Sequence, residues 1–259
     1  MVRLKKNTSL DYVETNNSTA NDAEIKRFEL LADQWWDAEG DFAPLHKINP
    51  VRLTFIRNHL CTHFQRQIDK QNPLKDLSVL DIGCGGGLIC EPISRLGANV
   101  TGIDAGEQNI NVAKVHAKRN GLDINYKKLL PEDAVAQGLS FDAVLNLEVI
   151  EHVANPESFV EACAALVKPG GIMVCATLNR TLKSLMFAKI GAEYILRWLP
   201  RGTHDWQMFF KPSEVCALLR GQGLTIVDMK GLKYKFLFDD WFITNDLSVN
   251  YMLLAKKPL

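Results

Sequence analysis

Leu77-Ser-Val-Leu-Asp81-Ile-Gly83-Cys-Gly85-Gly-Gly87 decides how the rest of the chain is read. A short apolar run that stops in glycines is a buried strand feeding a tight turn, and the helical spacing that follows to Leu96 makes it a strand-to-helix turn. The rhythm recurs downstream. Ala98-Asn-Val-Thr-Gly-Ile-Asp104 is a second such run, followed by helical spacing over 107–119, with further strands predicted at 122–128 and 141–147. Asn155-Pro156 reads as a cap with proline in the first helical turn, and Lys168-Pro-Gly-Gly171 ends that helix before a strand at 172–177. Runs at 224–230 and 249–255 are expected to close the sheet's edge. Alternation of this kind predicts an α/β fold, a doubly wound, mostly parallel sheet covered by helices on both faces.

Upstream the character changes. Residues 1–21, rich in Asn, Thr and Ser, are expected to be a disordered lead-in. Ile25, Phe28, Leu31, Ala32 and Trp35 follow helical spacing after an Asn21-Asp22 cap, and a turn with Gly40 and Pro44 leads to a second helix over 51–68, with Pro50 in its first turn. The expectation is one domain over 22–259, with a helical extension over 22–70 and an insertion over 180–206. His59 and His63, four apart on the second helix, read as a solvent-facing pair. Thirty Lys and Arg against thirty Asp and Glu give a formal charge of +0, which argues against bulk nucleic-acid binding. No apolar run approaches the ~18 residues of a spanning helix. Six scattered cysteines with no CxxC pair, and a basic start without an apolar stretch behind it, are the pattern of a cytoplasmic protein.

Glycines at alternate positions let the backbone approach a ligand, and sheets of this topology bind ligands beyond the carboxyl ends of their strands. The dinucleotide fingerprint asks for a third glycine where this chain has Leu88. A GxGxG at Gly83, Gly85 and Gly87 with the acid Asp81 before it resembles the class I S-adenosylmethionine-dependent methyltransferases. In those proteins the acid lies near the amino end of the cofactor's methionine. Asp104, at the end of the second strand, suits both ribose hydroxyls. Pro131-Glu132-Asp133-Ala134 stands where that superfamily contacts adenine. After the fourth strand comes Asn146-Leu-Glu148-Val-Ile-Glu151-His152-Val. If 148–152 turn helically, Glu148, Glu151 and His152 share a face and suit a hard divalent ion. The other reading makes His152 a general base, and the two roles compete for one nitrogen lone pair.

The resemblance then narrows. Trp35-Trp-Asp-Ala-Glu-Gly-Asp-Phe-Ala-Pro-Leu-His-Lys-Ile-Asn-Pro-Val-Arg52, Val112-Ala-Lys-Val-His-Ala117 and Leu166-Val-Lys-Pro-Gly-Gly171 are similar to stretches of the ubiquinone-biosynthesis O-methyltransferases. So are Thr177-Leu-Asn-Arg180, Gly191-Ala-Glu-Tyr-Ile-Leu-Arg197, Gly202-Thr-His-Asp205 and Val249-Asn-Tyr-Met-Leu253, and the match runs over roughly 24–255. It implies S-adenosylmethionine as methyl donor and two O-methylations, of a polyprenyl hydroxyphenol or catechol and of demethylubiquinol to ubiquinol. It maps cofactor contacts onto Arg52, Gly83, Asp104 and Leu147, with Arg52 on the methionine carboxylate. It also implies magnesium or a similar ion at Glu148, Glu151 and His152.

An isoprenoid tail has to reach the site. Residues 181–206 interleave Leu182, Leu185, Met186, Phe187, Ile190, Tyr194, Ile195, Trp198 and Leu199 with Lys183, Lys189, Arg197 and Arg201. Such a segment suits the interface of an anionic bilayer, here the inner face of a membrane, and equally suits a lid over the site. Membership of a biosynthetic complex is a further expectation. Against an enzyme for ubiquinone stand an O-methyltransferase of another small phenol and a non-catalytic scaffold that binds the cofactor.

Overall fold

The computed structural model describes residues 18–185, 206–235 and 238–259. The lead-in up to residue 17 and most of the 181–206 segment lie outside them. Among the described residues one sheet holds β1 (Ser78–Ile82), β2 (Asn99–Asp104), β3 (Asn125–Lys128), β4 (Phe141–Leu147), β5 (Val167–Leu178), β6 (Thr225–Lys235), β7 (Asp240–Thr244) and β8 (Asn250–Lys256), in spatial order β3-β2-β1-β4-β5-β8-β6-β7. β1 to β5 pair in parallel, and β8 runs antiparallel to both β5 and β6. The order reverses between β1 and β4, so the glycine loop leaving β1 stands at the switch point, where such sheets bind ligands.

Helices α1 (Asp22–Leu30), α2 (Ala43–His63), α3 (Cys90–Arg95), α4 (Glu107–Arg119), α5 (Pro131–Ala136), α6 (Pro156–Ala165), α7 (Leu182–Leu185) and α8 (Pro212–Gly221) accompany the sheet. Strands buried on both faces explain the near-continuous apolar runs. Ile56, Leu60, Val79, Ile93 and Val174 pack on one face, and Leu80, Ile103, Phe159, Leu166 and Leu253 on the other. α4 has the expected span.

Several boundaries differ. α2 begins at Ala43, so Pro50 lies inside it rather than in its first turn, and its missing N–H withdraws one helical bond. Apolar side chains on both sides of Pro50, from Leu45 and Ile48 to Ile56 and Leu60, anchor the helix across that break. Lys168-Pro-Gly-Gly171 belongs to β5, not to a helix end, beside a bulge between Phe141 and Ala143. Neither α8 nor the edge strand β7 is anticipated by the sequence reading. His59 and His63 are half-buried rather than solvent-facing: His59 Nε2 lies 3.2 Å from Asp228 Oδ2, and His63 Nε2 lies 2.8 Å from the Gly170 carbonyl.

Candidate active site

The glycine loop needs its glycines for two separate reasons. Gly83 and Gly85 take φ of +68° and +53°, where a side chain is strained. A Cβ on Gly83 would also meet Val149 Cγ2 at 2.5 Å, and one on Gly85 would meet the Trp35 ring at 2.4 Å. Trp35 therefore roofs the loop. Its Nε1 donates to Asn109 Oδ1 at 2.9 Å, and Asn109 Nδ2 donates to Asp104 Oδ1 at 3.1 Å. Asp104 also accepts from the Gly85 N–H (2.9 Å) and the Gly106 N–H (2.8 Å). Burial pushes its carboxyl above the usual range, opposed by the bonds from Asn109, Gly106 and Gly85. Asp81 is buried with, among the described residues, only Cys90 Sγ donating to it, at 3.2 Å, and burial pushes its carboxyl up to about 7.

The end of β4 departs from the expected helical turn. Glu148 has φ +56°, a left-handed conformation that a helix cannot continue through, and only Ile150–His152 form a single 3-10 turn. Glu148 and His152 accordingly take different partners. Glu148 accepts from the Arg52 guanidinium and, at 3.0 Å, from Asn250 Nδ2. His152 Nδ1 lies 2.7 Å from Glu24 Oε2, and the Phe28 ring meets the imidazole edge-on. Glu151 is fully buried, neither carboxylate oxygen has a hydrogen-bond partner among the described residues, and burial followed by the neighbouring Glu148 holds its carboxyl well above the usual range. Among the described residues no three His, Cys, Asp or Glu side chains converge as metal ligands. The set Glu148, Glu151 and His152 does not fit a shared cation in this arrangement.

One cavity of about 570 Å³ connects these features, within the range of pockets that hold small molecules. Arg52, Asp81, Gly83, Asp104, Leu147, Glu148 and His152 line it, whereas Gly85 and Glu151 do not. Gly85 acts instead through its N–H on Asp104. The cavity also takes in Glu24, Phe28, Trp35, Asn49, Asn109, Trp241 and Asn250, which the sequence reading does not single out as site residues. Trp35, Asn49 and Asn250 stand within quoted family stretches, but nothing in composition or spacing marks Asn109.

Comparison with known proteins fits this geometry. A methyltransferase-domain family model matches residues 53–229. The ubiquinone biosynthesis O-methyltransferase of Dinoroseobacter shibae is 49% identical over 94% of this chain and 99% of its own length. That of Mesorhizobium japonicum is 50% identical over 94% and 98%. This chain belongs to the ubiquinone biosynthesis O-methyltransferase family. The fold of the family member described here is shared with solved structures of low identity. Magnesium protoporphyrin IX methyltransferase from Synechocystis, solved with bound S-adenosylhomocysteine, gives a TM-score of 0.62 at 19% identity, over 92% of this chain and 100% of that one. A methyltransferase from Thermotoga maritima gives 0.57 at 16% identity, over 90% and 99%. These show the class I methyltransferase fold. Among the described residues, no helix of this ubiquinone biosynthesis O-methyltransferase family member is long and apolar enough to cross a membrane.

Proposed function

We propose that this chain transfers the methyl group of S-adenosylmethionine to a phenolic oxygen of polyprenylated intermediates in ubiquinone synthesis, a hydroxyphenol or catechol and demethylubiquinol. The observation that carries this reading is one cavity lined both by Gly83 and Asp104 and by the apolar Leu45, Ile48, Leu178 and Trp241. Asp104 would take the ribose hydroxyls, Asp81 and Gly83 the amino end of the methionine, and Leu147 would pack on the adenine. Arg52 keeps Glu148 on one nitrogen, while its Nε has no partner among the described residues and suits the methionine carboxylate.

The chemistry asks for a phenolate. A phenol with a pKa of ~10 is scarcely ionised at neutral pH. His152 lines the cavity, oriented by Glu24, and takes the phenolic proton in this proposal. The oxygen then attacks the sulfonium methyl in line from roughly 3–3.5 Å, so positioning supplies much of the rate. The carbon–sulfur bond breaks as the carbon–oxygen bond forms, and S-adenosylhomocysteine leaves neutral at sulfur.

Methyl transfer from labelled S-adenosylmethionine to a short-tailed demethylubiquinol tests the proposal, and absence of transfer with cofactor binding intact would overturn it. Run with magnesium and with a chelator, the same assay addresses the ion. Loss on chelation and recovery with magnesium would mean that His152 leaves Glu24 to complete a cation set. Transfer indifferent to the chelator would keep His152 as base. Access for the tail is part of the proposal: the protein works in the cytoplasm, and segment 181–206 touches the anionic inner face of the membrane. Flotation with anionic liposomes checks it, with retention lost on removing 183–200.

A further inference from the structure

Three contacts lead from α3 to the glycine loop, through residues that the proposed reaction does not use. Glu91 of α3 is fully buried, and its carboxylate oxygens are taken separately: Arg95 donates to Oε2 at 2.9 Å, and His116 Nδ1 lies 2.6 Å from Oε1. A carboxylate facing a guanidinium only accepts, which assigns the hydrogen to His116 Nδ1. Asn120 Nδ2, 3.1 Å from the same nitrogen, has the His116 carbonyl at 3.0 Å to donate to. Held by its edge, the imidazole presents its face to Trp36, with ring centroids 3.4 Å apart and 10° between the planes. Trp36 Nε1 in turn donates to the Gly86 carbonyl at 2.9 Å.

That last bond lands where the loop is least able to hold itself. Gly85, Gly86 and Gly87 are consecutive, Gly85 and Gly87 take φ of +53° and +91°, and glycine loses more conformational freedom on ordering than any other residue. The Gly85 N–H has to meet Asp104 Oδ2, 2.9 Å away, to keep the carboxylate assigned to the ribose in its direction. The Gly86 carbonyl belongs to the next residue, so the indole that pins it restrains that donor as well. A loop held in shape before its ligand arrives binds it more tightly, because the cost of ordering has already been met. Packing alone gives these residues little purpose. The Trp36 and His116 rings are only half-buried, and a buried ion pair such as that of Glu91 is often no more stabilising than an apolar side chain of its size.

We infer that Glu91 and His116 are positioning residues for cofactor binding: Glu91 turns the imidazole, the imidazole sets the Trp36 indole, and the indole N–H holds the Gly86 carbonyl in the shape that receives S-adenosylmethionine. This deepens the cofactor reading given above and rests on it. Trp36, Glu91 and His116 do not line the cavity, so their effect reaches the ligand only through the loop.

The test measures S-adenosylhomocysteine affinity of the full chain by calorimetry, together with kcat and both KM values for methyl transfer to a short-tailed demethylubiquinol. Trp36→Phe keeps a ring against His116 and removes the donor to Gly86, and it is expected to weaken affinity roughly fivefold. His116→Asn keeps a donor near the Nδ1 position for Glu91 and removes the stacked face, with a loss of similar size expected. The double variant decides between positioning and mere support. Since His116 acts through the Trp36 N–H, adding His116→Asn to Trp36→Phe should weaken affinity by less than a further twofold. The losses should appear in the KM for S-adenosylmethionine, with kcat at saturating cofactor and the acceptor KM within twofold of wild type. Should His116→Asn fail to fold, Glu91→Leu, similar in volume and without the charge, frees the imidazole to turn and takes its place in the same cycle. Unchanged affinity in the folded variants, losses that multiply in the double variant, or a loss confined to kcat would each overturn the inference. Wild-type protein that does not bind S-adenosylhomocysteine would overturn the cofactor reading instead.

Discussion

Asp81 carries a proton question that its position makes testable. Its carboxyl lies at about 7, against a usual 3.8, because it is buried with one thiol partner. A carboxyl raised in the folded state contributes stability below the unfolded value, and that contribution is lost as pH rises from about 4 to about 7. A ligand that brings an ammonium group to Asp81 favours the ionised form. Cofactor binding near pH 7 should therefore release protons, and affinity should tighten as pH rises through 7. Calorimetric titration with S-adenosylhomocysteine in two buffers of different ionisation heat measures this. Asp81→Asn should abolish the release and weaken binding roughly tenfold or more, since bonds to charged groups contribute about 1.5–3 kcal/mol. The residue was legible in advance from its place before the glycines. The directions of Glu148, Glu151 and His152 were not, because they depend on a positive φ at Glu148, a backbone choice that no spacing announces.

Elements of the N-terminal extension act on the cofactor end from above. α1 buries none of its residues, and polar latches hold it to the sheet's carboxyl edge: the Thr19 N–H to Glu132 at 2.8 Å, Glu24 with His152, and the Gln108 N–H to Glu29 at 3.3 Å. Its amides should exchange faster than those of α4, and S-adenosylhomocysteine should slow them, as read by hydrogen exchange. The segment behind α1 is anchored differently. Trp35 stacks on Phe42 with ring centroids 3.9 Å apart, and Trp36 stacks on His116 at 3.4 Å while its Nε1 donates to the Gly86 carbonyl at 2.9 Å. Trp35→Ala should cost about 3–5 kcal/mol in urea unfolding. Trp35→Phe, which keeps the ring and loses the bond to Asn109, should cost about 1 kcal/mol while still weakening cofactor affinity. Helical spacing made the extension legible as helix. Its docking on the glycine loop and α4 was not, since the Trp36 side chain meets a backbone carbonyl 50 residues on and Trp35 meets a side chain 74 residues on.

At the scale of the molecule, the parallel half of the sheet was readable because strand and helix alternate with short turns. The antiparallel half was harder: β7 is short, and β8 pairs with strands that precede it by long stretches of chain. Since the cavity joins extension, parallel half and antiparallel half, occupying it should stabilise them together. S-adenosylhomocysteine at a hundred times its Kd should add about 2.7 kcal/mol, a Tm rise of roughly 5–10 °C in a scanning melt. A melt that leaves Tm unmoved would mean that the ligand binds the unfolded chain equally well.

The placement of β8 has a consequence for the order of assembly. Among the described residues β8 follows the other strands in sequence, yet it lies between β5 and β6, with β6 and β7 beyond it. A nascent chain that ends before residue 250 presents two open strand edges a strand's width apart, each a template for pairing with other chains. Glu148 then lacks its Asn250 partner, and the cavity lacks the wall that Asn250 supplies. During vectorial synthesis the first five strands can form their parallel half early, but the site closes only when the final strand inserts. Ribosome-stalled chains cut at about residue 245 should accordingly aggregate, while a short linker that lets β8 emerge should make them soluble and able to bind cofactor.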